Sequence, residues 1–179
     1  MAIARIDTIL NPDYVEDLES LPMTEVRKRR DETQEAADVL SYLRRLVQGR
    51  LDIVHADIER RSGGEPGDLA ALVERLEKGE ILAEGTRAGG LGRLPTTMGP
   101  AAMDGWISQE LDKVVGADRL VALPDLDDNE VRSIADQLVE LERKVSAQRN
   151  SLHDVANRLQ EEIVRRYKSG EATVDSLLS

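Results

Sequence analysis

Cysteine and phenylalanine are absent from this chain, and with one Trp and three Tyr the aromatic residues make up only 2% of it. Without thiols there is no disulfide and no thiolate nucleophile, which agrees with a reducing compartment. Without large aromatics the interior has to be built from Leu, Val, Ile and Ala, and such a core favours helices meeting along narrow seams. Long apolar runs are missing too. No stretch approaches the roughly 18 apolar residues of a membrane-spanning helix, and the opening MAIARIDTIL is too short and too charged for a secretory leader. The expectation is a soluble, cytoplasmic protein without a membrane partner. Positive charge is in deficit, with 24 Lys and Arg against 35 Asp and Glu and a formal net charge of −11. Such a surface repels nucleic acid and anionic lipid and attracts a basic partner.

What is present is helical periodicity. Leu40, Leu43, Val47, Leu51, Val54 and Ile58 recur at steps of three and four, with Val39, Leu46 and Ile53 as a second row. The spacing predicts one long helix from Thr24, as N-cap, to Arg61, stopped by Ser62, Gly63 and Gly64. Ile134, Leu138, Leu141, Val145, Leu152, Leu159 and Ile163 predict a second, capped by Asn129 and reaching Lys168. The first 20 residues read as loosely structured. The crossover over 62–128 reads as two short helices, one from Asp68 with Leu69, Leu72, Val73 and Leu76, the other from Ala101 to Val115 with Met103, Trp106, Ile107 and Leu111 inward, separated by a Gly-rich loop over 85–100. The fold expected is all-α, a single helical domain over 1–179 whose body is an intramolecular antiparallel two-helix coiled coil.

The two long helices are related. Ser146 follows Ser41 by 105 residues, and at that offset Glu25-Val26-Arg27 falls on Glu130-Val131-Arg132, Asp31 on Asp136, Ile58 on Ile163 and Arg60-Arg61 on Arg165-Arg166. Matching caps, seam and polar residues in one register point to an internal duplication.

The duplication carries a polar comb twice. Ser41, Arg44, Gln48 and Asp52 lie 3, 4 and 4 apart, and Ser146, Arg149, His153 and Asn157 repeat the spacing behind Glu142. Each comb falls on one helix face beside the apolar seam, and the longer is about 22 Å at 1.5 Å per residue. That length suits an elongated polar ligand. Guanidinium groups donate in pairs to phosphate oxygens or to guanine O6 and N7, and carboxylates accept from guanine N1 and N2. The competing reading is structural: polar residues flanking a coiled-coil seam commonly form interhelical ion pairs, leaving a helical scaffold or adaptor without a small-molecule ligand.

The pattern E-x3-S-x2-R-x3-Q-x3-D on each of two helices resembles the signature of the RsiG family of actinobacterial anti-sigma factors, most specifically in LSYLRRLVQGRLDIV. The resemblance implies a protein that uses cyclic di-GMP, as one or two molecules, to hold a sigma factor of the WhiG or flagellar class inactive. It implies ligand contacts from Ser41, Arg44, Gln48, Asp52, Glu142, Ser146 and Arg149, with His153 and Asn157 at the remaining comb positions. Ala37 replaces the motif's first acid in copy one, and His153 and Asn157 replace Gln and Asp in copy two. With antiparallel helices both missing carboxylates fall at one end and the retained Asp52 and Glu142 at the other, so one guanine is expected to be held by acids and the opposite end to bind more weakly or by altered contacts.

Other signals are weaker. Gly89-Gly90-Leu91-Gly92 lacks the Lys-Ser/Thr of a phosphate loop, and Asp125, Asp127 and Asn129 imitate the start of a calcium loop but have Glu130 in place of its Gly. Arg27 to Arg30 is a basic run with acids close behind, more in keeping with a solvated face than with DNA binding. His55 and His153 lack metal-ligand neighbours, and no nucleophile and base constellation emerges. A metal centre and an enzyme are therefore not expected.

Overall fold

The computed structural model describes residues 2–63 and 104–171, and among these there is helix and turn but no strand. The expected short helix from Asp68, the Gly-rich loop, Met103 and the last eight residues lie outside the described residues. In order come α1 (Ala2–Leu10), 3-10 turns at Pro12–Val15 and Leu18–Ser20, α2 (Met23–Arg61), α3 (Asp104–Asp112), α4 (Ala117–Val121), a 3-10 turn at Leu123–Asp125 and α5 (Asp128–Ser169). The two long helices end within a residue of the boundaries expected from periodicity, but both begin earlier: Thr24 and Asn129, expected as N-caps, lie inside helices that start at Met23 and Asp128.

The chain divides into two compact units, 1–40 with 147–179 and 41–146. The first contains α1, the first two 3-10 turns, the first half of α2 and the second half of α5. Here the two long helices run antiparallel, with Arg30 donating to Gln160 at 3.3 Å and Arg27 to the Tyr167 hydroxyl. Its core joins Val15, Val26, Leu159 and Ile163, with Tyr14, Leu18, Leu21, Met23, Val155 and Tyr167 packed around them. The second unit contains α3, α4, the third 3-10 turn, the second half of α2 and the first half of α5. There too the long helices are antiparallel, as Arg44 meets Glu142 and Arg61 meets Asp128. Val47, Ile53 and Val54 from α2, Ile107 and Leu111 from α3, and Val131, Ile134 and Leu138 from α5 are buried in it.

The expectation of a loose start over the first 20 residues does not hold. α1 buries Ile6 and Ile9, and Arg5 reaches Glu35 of α2 at 3.0 Å. Asn11 accepts from the backbone N–H of Asp13, and Pro12 follows it at the head of the first turn. Tyr14 then ties this segment to α2. Arg29 donates to its carbonyl at 2.6 Å and stacks on its ring, and the phenol donates to Glu32. Burial, followed by the Glu32 carboxylate, pushes that phenol up to about 12.

The cap of α5 is also corrected. Asp127, not Asn129, accepts from the N–H groups of Asn129 and Glu130, while Glu130 reaches back to the N–H of Asp127 at 3.1 Å. This reciprocal arrangement is a capping box, and it employs the residues that imitated a calcium loop.

The duplication extends beyond the long helices. Shifted by 105, the 3-10 turn Leu18–Ser20 becomes Leu123–Asp125, and Met23, where α2 starts, becomes Asp128, where α5 starts. Buried Ile6, Val15 and Val26 fall on buried Leu111, Leu120 and Val131. Each unit thus combines short elements from one copy with half of each long helix.

Candidate functional site

The comb residues sit where the wheel places them, between core and solvent. Ser41, Arg44, Gln48, Glu142, Ser146, Arg149 and His153 are half-buried, whereas Asp52 and Asn157 are exposed. A face of this kind is pre-aimed, because packing on one side restricts the rotamers while the polar tips remain reachable.

In the second unit three comb residues meet. Arg44 Nε donates to Glu142 Oε1 at 2.7 Å, and Ser146 Oγ donates to the same oxygen at 2.9 Å. The hydrogen bond from Arg44 is the main reason the Glu142 carboxyl is held below its ordinary range; burial opposes it and Ser146 assists. Arg44 and Glu142 come from facing helices, so this pair is an interhelical ion pair of the sort a plain coiled coil would contain. Asp52, two turns further along α2, takes no part in it. In the first unit Arg149, His153 and Asn157 follow one another on α5. The Nε of Arg149 is shut off from solvent and has no hydrogen-bond partner. Buried N–H groups are nearly always satisfied, so a half-buried guanidinium with a donor left over is an unusual feature within a polar comb.

Two further arginines behave differently from the combs. Arg45 is exposed. Arg50, six residues after Arg44, is turned by about 120° around the helix, and the charge of Asp112 of α3 acts on it. Burial lowers its pKa, and its Nη1 also lacks a partner. It therefore does not add positive charge to the comb face.

Sequence reading passed over a pair of buried ion clusters. Asp57, fully buried, accepts from Arg60 and from Arg61, the latter at 2.6 Å, and Arg61 continues to the Leu123 carbonyl at 2.7 Å. Glu162, 8% exposed, accepts from Arg165 and Arg166, and Arg166 continues to the carbonyls of Leu18 and Leu21. Asp57 and Glu162 are 105 residues apart, as are Arg61 and Arg166. Burial drives the Asp57 carboxyl upward, but hydrogen bonds from Arg60 and Arg61 more than reverse it. Glu162 is held down to about 2, chiefly by Arg165. The signal was legible as acid-x-x-Arg-Arg in both copies; the exchange of Asp for Glu hid it from a comparison of identities.

Among the described residues no helix is long and apolar enough to cross a membrane, and no three His, Asp or Glu side chains gather as metal ligands would.

Among the described residues the fold is all-helical, and the combs line the two long helices with half-buried and exposed polar side chains. Residues 12–80 match the family described as RsiG-like. The matched residues include the first comb and end before α5, so the second comb lies outside them. The family is a regulatory one of anti-sigma factors, not of enzymes. No curated protein matches the chain.

Proposed function

We propose that this protein is an anti-sigma factor that sequesters a sigma factor of the WhiG or flagellar class in a cyclic di-GMP-dependent complex in the cytoplasm. The family match supports the regulatory role. The ligand reading is carried by one observation: Arg149, on a comb with dinucleotide-binding chemistry, keeps a buried Nε donor with no acceptor. Each cyclic di-GMP is a dianion, and a chain of net charge −11 repels it except near its arginines. A sigma factor is basic where it reads promoter DNA. Its cations offset that repulsion, so ligand and partner tighten each other reciprocally. The same acidic surface competes with DNA and core polymerase for basic patches of the sigma factor, without binding DNA itself.

The Arg44–Glu142 pair favours a second reading, a coiled-coil scaffold whose combs are internal ion pairs. Partner capture separates the two. The wild-type chain is expected to retain the sigma factor only with cyclic di-GMP present, and Arg44→Ala and Arg149→Ala to lose that dependence. Capture unchanged by ligand, or unchanged in both variants, would favour the scaffold.

A further inference from the structure

The 105-residue repeat is a repeat of contacts as well as of sequence. A contact between residue i of the first copy and residue j of the second has a counterpart between i + 105 and j − 105. The buried clusters obey this rule across the helices: Arg61 donates to the Leu123 carbonyl, and its counterpart Arg166 donates to the Leu18 carbonyl. The comb pair Arg44 and Glu142, treated the same way, gives Arg149 and position 37. Position 37 is Ala, 1% exposed, and has no carboxylate to offer. The Arg149 Nε left without an acceptor is the counterpart of the atom that Arg44 donates to Glu142.

We propose that Arg149 is the standing phosphate-binding donor of this protein, set by the loss of a carboxylate at position 37, and that Arg44 is held in reserve by Glu142. This rests on the reading of the combs as a nucleotide-binding surface and assigns unequal roles to the two arginines. What Arg149 lacks is an anionic oxygen acceptor at the side of its guanidinium, and a non-bridging phosphate oxygen is the closest ligand equivalent. A neutral guanine oxygen leaves the half-buried charge less well compensated. His153, one turn further along α5 and half-buried, is on the same face and can add a donor. A ligand reaches the Nε of Arg44 only by displacing Glu142, whose oxygen also accepts from Ser146. The two arginines are therefore engaged at different ligand concentrations, Arg149 first.

The test uses the full chain and titrates inorganic pyrophosphate by calorimetry at fixed low salt, then repeats the series with cyclic di-GMP. Wild type is expected to take one equivalent of pyrophosphate, Arg149→Ala to weaken binding at least tenfold, and Glu142→Ala to take a second equivalent by releasing Arg44. Ala37→Glu is expected to raise the unfolding temperature without ligand and to abolish pyrophosphate binding. Should that buried substitution fail to fold, the Arg149 and Glu142 variants decide. No pyrophosphate binding by wild type, equal binding by Arg149→Ala, or a single equivalent in Glu142→Ala would overturn the assignment. If the pyrophosphate pattern holds and cyclic di-GMP does not bind, the donor stands and the dinucleotide reading falls. Tight cyclic di-GMP binding that ignores Arg149→Ala does the reverse.

Discussion

Glu142 and Glu162 are both acids held by arginine, yet their surroundings give them different weight. The Arg44–Glu142 pair retains 35% and 24% side-chain exposure, so solvent screens it, and its loss is worth about 1 kcal/mol of stability or less. Its importance is chemical, since it governs whether Arg44 is available. Glu162 is buried and held by two arginines, one of them 6% exposed. Its carboxyl lies at about 2 in the fold, below its ordinary 4.5. The contribution to stability is therefore complete above about 4.5 and disappears as pH falls toward about 2. Urea unfolding of wild type and Glu162→Gln from pH 7 to pH 2.5 is expected to show the variant weaker at neutral pH and the two curves converging in acid. A constant difference across that range would contradict the role given to the charge. Residue chemistry in the combs was plain from spacing. Which tooth is quenched and which is open was not, because that depends on the side chain facing it from the other helix.

For the helices, period and punctuation carried most of the information. Apolar steps of three and four over 40 residues leave little choice of structure, and α2 and α5 end where expected although both begin two residues early. Leu152 is fully buried in the seam of the first unit. Leu152→Ala is expected to cost about 2 to 5 kcal/mol, read as a lower denaturation midpoint. The α5 cap shows the limit of residue-by-residue reading: Asp127 and Glu130 work as a reciprocal pair, which becomes evident once the helix start is placed. Asp127→Ala is expected to cost about 1 kcal/mol, and Asn129→Ala much less; equal losses would restore Asn129 as the cap. The first 20 residues were misread because α1 and the turns are too short for periodicity to speak. They are ordered by tertiary contacts, Arg5 with Glu35 and Tyr14 with Arg29 and Glu32.

Across the whole molecule, acidity and duplication shape the functional reading. With its sigma partner present, cyclic di-GMP at 100 times its dissociation constant is expected to add about 2.7 kcal/mol to the stability of the complex. A scaffold indifferent to the ligand would unfold at the same temperature with and without it. The apolar period, the acidic balance, the missing aromatics and the offset of 105 were open to reading in one dimension, since each is a property of residue order. Local order dictates helices, and helices with matched stripes pack along them. The joining of α1 and the turns to each unit, the burial of Asp57 and Glu162, and the contrast between a satisfied Arg44 and an unsatisfied Arg149 arose from folding alone. Each depends on residues far apart in the chain, and a hydrogen bond exists only where packing brings donor and acceptor within about 3 Å.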